Sequence, residues 1–183
     1  TTDGAETGTY TNSITGLTPG TLYYVRSYAT NSVGTSYGAQ TSFTTLNTAT
    51  ISETASATSI TSSSAITGGT ITADGGATVT SRGVVYGTSS GSATYSATSG
   101  TGTGTYTSSL TGLTPATTYF VRSFATNSVG TVYGTETSFT TIAIAPTLTT
   151  TAASSITKYA ASAGGTITSN GGSVITASGI CWS

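Results

Sequence analysis

A block of residues, Leu17-Thr18-Pro19-Gly20-Thr21-Leu22-Tyr23-Tyr24-Val25-Arg26, returns as Leu113-Thr114-Pro115-Ala116-Thr117-Thr118-Tyr119-Phe120-Val121-Arg122. The match runs on without a gap in both directions at a period of about 96 residues. Self-similarity at the length of one small domain makes each repeat a domain in its own right. The register divides the chain into 1–45, the later part of a first repeat; 46–141, a complete repeat; and 142–183, the earlier part of a third. Thr1 corresponds to Ala97 and Ser183 to Gly87, so both ends are expected to fall inside a repeat. An array in that register points to a structural polymer or stalk.

β-branched and aromatic residues alternate with small polar ones throughout, and no stretch carries the i, i+3, i+4, i+7 apolar spacing of a helix. Within the complete repeat the pattern predicts strands over 48–55, 64–73 and 77–87, with a turn at Asp74-Gly75-Gly76 between the last two. A Ser/Thr/Gly-rich loop with a short edge strand follows over 88–104. Strands over 105–110, 117–126 and 131–141 complete the set, the last two joined by the turn Asn127-Ser128-Val129-Gly130. Short strands at this spacing, each bounded by Gly, Asn or Pro, argue for an all-β, two-sheet sandwich.

The run from Leu113 to Arg122, with Ala125, Asn127 and Gly130 after it, resembles the fibronectin type III family. Leu17, Pro19, Thr21, Tyr23, Val25, Ala29, Asn31 and Gly34 match in the same way. The resemblance implies tandem fibronectin type III or immunoglobulin-like β-sandwich repeats. It also implies a structural tyrosine corner at Tyr23 and Tyr119, supported by Pro19 and Pro115 at the turn and by Leu17 and Leu113. The wording of the repeat is similar to tandem variants in surface and secreted proteins of Bacteroidota-type bacteria. Two features depart from the family: no Trp stands in 64–70, and no Arg-Gly-Asp occurs to support integrin-type adhesion. By the same resemblance Trp182, at the position of Tyr86, is expected in a core.

Charge narrows the function classes. The 183 residues hold Lys+Arg 4, Asp+Glu 5 and no His, for a formal net charge of -1. Thr and Ser make up roughly two fifths of the chain, well above ordinary usage. So little charge gives little steering toward nucleic acid or anionic membrane, and neither is expected as a partner. A hydroxyl-rich surface fits an extracellular, secreted or cell-surface protein. No Asn-x-Ser/Thr sequon occurs, which leaves O-linked glycans as the candidate modification. The lone Cys181 cannot form an internal bridge; it reads as a small buried or half-buried hydrophobe, with a reactive thiol as the alternative.

Catalysis finds no support. Without His the usual general base and metal ligand are missing, and Asp3, Glu6, Glu53, Asp74 and Glu136 form no paired motif. No calcium loop is present, and no cofactor or metal site is expected. Asp74 has an evident role as a turn former; Glu136 aligns with Gln40 and has none. Strand alternation puts Tyr23, Val25 and Ala29 on one face and Tyr24, Arg26 and Tyr28 on the other, with Phe120, Arg122 and Phe124 repeating the second set. Three readings of that outer stripe stand: the aromatics cover one another, they pack repeat against repeat, or they contact glycan.

The function expected is a structural repeat segment of an extracellular bacterial filament, stalk or adhesin, assembling head to tail with itself. The alternatives are a carbohydrate- or ligand-binding module using the outer aromatics, and a passive linker of a secreted hydrolase.

Overall fold

The computed structural model describes residues 6–183, so Asp3 lies outside the described residues. Every regular element among them is a strand. The first repeat contributes β1 (Leu22–Val25), β2 (Tyr28–Thr30), β3 (Thr35–Tyr37) and β4 (Thr41–Thr44). The middle of the chain forms β5 (Thr50–Thr58), β6 (Ser64–Ala73), β7 (Ser81–Gly87), β8 (Tyr95–Thr98), β9 (Gly104–Thr111), β10 (Thr118–Thr126), β11 (Thr131–Tyr133) and β12 (Thr137–Thr140). Last come β13 (Thr147–Ser154) and β14 (Ser162–Ser169).

Two antiparallel sheets pack face to face in the middle of the chain. One has the order β5-β6-β9, the other β11-β10-β7-β8 with β12 also on β10. This is the strand order of a fibronectin type III or immunoglobulin-like sandwich, and the chain is an all-β array of such repeats. Alternation sets the core. Tyr106, Ser108 and Leu110 of β9 are buried between exposed neighbours, and Tyr119, Val121 and Ser123 of β10 are buried with half-buried Phe120 and Arg122 between them. One apolar cluster joins Ala65, Val84, Leu110, Leu113, Tyr119, Val121 and Phe139, and a second joins Ala49, Ile71, Val79, Tyr106 and Ala125. Each fully buried Val, Leu or Ile contributes about 1.5–3 kcal/mol.

The strand expected over 48–55 runs later, Thr50–Thr58, because 46–49 is tied down as a linker. The Asn47 amide donates to Gly75 O at 2.8 Å, and Asn127 Nδ2 donates to Asn47 O and Asp74 O, both at 2.8 Å. Asp74 makes its turn as expected: its Oδ1 accepts the Gly76 amide at 2.9 Å, and Gly75 and Gly76 have φ of 72° and 81°. The strand expected over 77–87 begins only at Ser81.

The strand expected over 131–141 is broken into β11 and β12, which pair with successive stretches of β10. At the break the Gly134 amide donates to Ser123 O at 2.9 Å. The freed Ser123 amide then donates across the sandwich to Thr54 Oγ1, at 2.9 Å. A Cβ on Gly134 would lie 2.7 Å from Thr54 Oγ1 and 3.1 Å from Ile51 Cγ2, so close approach, not turn geometry, requires glycine here.

The flanking parts form small ladders. β1 pairs β4, β2 pairs β3 and β13 pairs β14, each as an antiparallel pair of two strands. Trp182 is 89% exposed and Cys181 is exposed, which corrects both expectations of burial. The reason is pairing: Tyr86 owes its place to β8 and β10 on either side, whereas 174–183 forms no ladder.

Candidate functional site

Both corner tyrosines receive a backbone hydrogen bond from five residues upstream, Tyr119 Oη from the Thr114 amide at 3.0 Å and Tyr23 Oη from the Thr18 amide at 2.9 Å. The bond arises because Pro115 and Pro19 turn the chain just before β10 and β1, bringing the amide over the ring. Donation from Thr18 lowers the pKa of Tyr23 from its ordinary value. In the complete repeat Leu113 is buried beside Tyr119, and the ring stacks on Phe139 at 5.8 Å between centroids. Tyr23 stacks on Phe43 at 5.9 Å in the same way. The burial differs: Tyr119 is 4% and Phe139 7% exposed, whereas Phe43 is 37% exposed.

The outer-face residues divide. Phe124 is only 8% exposed, so it does not belong to an open stripe. Its cross-strand neighbours are Tyr133 and Gly83, so β10 is flanked by strands on both sides at this position. Tyr28, at the equivalent place, is 43% exposed, since β2 has only β3 beside it. Tyr24 is exposed. Arg26 lies over the Tyr37 ring at 5.8 Å, and Arg122 over the Tyr133 ring at 5.3 Å. The stripe expected from alternation is therefore an Arg-on-Tyr pair made twice, with Phe120 beside it in the complete repeat.

Phe120 and Arg122 line a cleft of about 460 Å³ on the outer face of the larger sheet, with Val85, Tyr133, Glu136 and residues 91–96. Arg122 faces Val85 across the ladder, and Val85 faces Ser96. Arg122 Nε donates to Gly134 O at 2.9 Å, which fixes the guanidinium plane. Glu136 closes the other rim. Its carboxylate accepts Ser90 Oγ at 2.6 Å and the Gly91 amide at 2.8 Å. Those two donors, with the positive charge of Arg122 nearby, lower its pKa from the ordinary 4.5. The sequence showed no role for Glu136, because its partners sit in a loop 45 or more residues away.

Among the described residues no group of three or more His, Cys, Asp or Glu could hold a metal ion, and no helix is long and apolar enough to cross a membrane.

No family model matches the chain, and no curated protein does. Solved structures do. The sensor domain of the anti-sigma factor RsgI4 of Pseudobacteroides cellulosolvens is 20% identical over 54% of this chain and 98% of that domain, with a TM-score of 0.41. The FN1–FN3 domains of chicken CNTN1 are 20% identical over 69% of this chain and 45% of theirs, at a TM-score of 0.42. Domains A168–A170 of titin are 20% identical over 66% of this chain and 40% of theirs, at 0.39. Each is a likeness of β fold alone.

Proposed function

We propose that this chain is a structural repeat segment of an extracellular bacterial filament, stalk or adhesin, of the Bacteroidota type, in which repeats join head to tail. One observation carries the reading: the first repeat presents the core face of β1 and β4 half-open where the complete repeat covers the same residues with another sheet. Phe43 is 37% exposed and Phe139 is 7%. The strands that would cover it correspond to β5 and β6, and the chain supplies their equivalents once more as β13 and β14, whose Leu148 and Ile167 are exposed. Neither pair buries a core alone, and a two-stranded ladder is at best marginally stable in water. In the head-to-tail reading, strands equivalent to β5 and β6 from a neighbouring repeat cover this face, within one chain or between copies by strand exchange. A heterologous contact of that kind propagates as a filament when its rotation does not close.

The polar chemistry of the contact is already in place. Ser27 O accepts the Gly38 amide at 2.9 Å, reproducing the Ser123–Gly134 bond, and Thr150 pairs with Gly165 as Thr54 does with Gly69. The junction sets Thr150 of one unit against Ser27 of the next. The role is mechanical and not catalytic, the location extracellular, and nucleic acid and membrane take no part. The hydroxyl-rich exterior carries O-linked glycans in place of charge. Intact mass of native material tests the glycans: a mass equal to the bare polypeptide removes them.

Sedimentation and negative-stain microscopy of the segment at micromolar concentration test the assembly. Threads with an axial repeat of two domains support it. A monomer with 22–44 and 147–169 ordered against each other contradicts it.

A further inference from the structure

The cleft on the outer face of the larger sheet goes beyond a mechanical role. It lies wholly within the complete repeat and does not depend on assembly. The apolar part of its lining is Phe120, Val85 and Tyr133. Phe120 faces Gly87 across the ladder, the backbone of 92–94 fills the place a Gly87 side chain would take, and the half-buried ring and Val85 form one surface beside Arg122. The Arg122 guanidinium lies over Tyr133, with Nε engaged by Gly134 O; its Nη groups have no protein partner among the described residues. Glu136 is held by Ser90 and Gly91, and each of its oxygens has a further lone pair to accept with.

We propose that this cleft binds a neutral, hydroxyl-rich pyranose unit of a polysaccharide. Three features select that class. The apolar floor suits the C–H face of a sugar ring, which stacks on aromatic surface. Free guanidinium N–H groups and fixed carboxylate oxygens stand on the rim, a donor set and an acceptor set for neighbouring hydroxyls. The two rim charges cancel, which disfavours an anionic ligand, and the chain as a whole carries only -1. Both rim groups are immobilised by their own bonds to the protein, so little side-chain entropy is lost on binding. The first repeat keeps part of the arrangement, with Tyr24 for Phe120, Arg26 over Tyr37, and Gln40 as acceptor in place of Glu136.

The test is an amide-resolved NMR titration of the full 183-residue chain, in solution where it sediments as a monomer and by magic-angle spinning where it forms threads. The probes are cellohexaose, xylohexaose, mannohexaose and maltohexaose at up to about 10 mM, with polygalacturonate as the anionic comparison. The expected result is saturable perturbation of Ser92, Thr94, Ser96, Phe120 and Tyr133 by at least one neutral probe. Arg122→Met, which keeps the apolar stem, should weaken that binding by about fivefold or more; Phe120→Ser, which leaves both charges, should do the same. Tyr159→Ala, on an exposed turn outside the repeat, should leave it unchanged. Unmoved Tyr106 and Leu110 resonances certify the fold of each variant. No perturbation by any neutral probe, perturbation centred elsewhere, or tighter binding of polygalacturonate overturns the proposal.

Discussion

Thr54 Oγ1 accepts the amide proton of Ser123 at 2.9 Å, joining the two sheets of the sandwich by a hydroxyl where an apolar contact would be expected. Both residues are buried, and Ser123 Oγ also donates to Glu53 O at 3.2 Å. The bond exists because β11 and β12 part at Gly134 and leave that amide without a ladder partner. Thr54→Val keeps the shape and removes the acceptor. It should cost about 1–3 kcal/mol, the penalty for an orphaned buried amide. Thr54→Ser should cost about 1 kcal/mol, for a lost methyl group. Urea unfolding reads the difference, and hydrogen exchange at Ser123 should accelerate in the Val variant alone.

Tyr119→Phe removes the acceptor for the Thr114 amide while the ring stays stacked on Phe139. The expected loss is on the order of 1 kcal/mol by urea unfolding. Tyr23→Phe, where the amide can turn to water, should cost less. An equal loss at both positions would show that burial of the Thr114 amide adds nothing to the cost.

Thr150→Val tests the head-to-tail junction without touching the complete repeat. If Thr150 meets Ser27 of the next unit, the variant should sediment with less polymer than the parent at the same concentration, while the unfolding midpoint of the 50–140 sandwich stays put. Unchanged polymer would exclude that pairing.

Glu136 makes the loop before β8 sensitive to acid. Its folded pKa lies below the ordinary 4.5 because Ser90 and Gly91 donate to the carboxylate. A group lowered on folding contributes stability that is full above its unfolded pKa and is lost as pH falls through the folded one. Closure of 89–92 onto Glu136, just ahead of β12, should therefore persist at neutral pH and weaken only below about pH 4.5. An NMR titration should give a Glu136 midpoint below 4.5, and Glu136→Gln should abolish the acid-dependent shift of the Gly91 amide.

Much of the fold was legible because a half-buried strand leaves a period of two in the sequence. The bounds of β6 are those the alternation predicts, and the Asp74 turn follows from an Asx residue ahead of two glycines. Alternation assigns faces but not coverage, which is why Phe124 was expected in the open and is found buried. The β11–β12 break was invisible because part of its cause lies in β5: Gly134 yields to the Ser123 hydroxyl and to that of Thr54, which is far away in sequence. The cleft was half legible. Phe120 and Arg122 come from a local pattern, while Glu136 and its loop meet only through the fold.

The side-chain amide of Asn127 grips Asn47 O and Asp74 O. If the chain is stretched, tension arriving through 46–49 does not first peel edge strand β5 away from β6. It passes into Asn127, at the end of central strand β10, and into the glycine turn beyond β6. The load is then shared by both sheets at once, so a repeat should resist as a unit and yield abruptly. Asn127→Ala would turn that abrupt yield into a gradual unzipping from the linker, a difference a single-molecule pulling experiment reads directly.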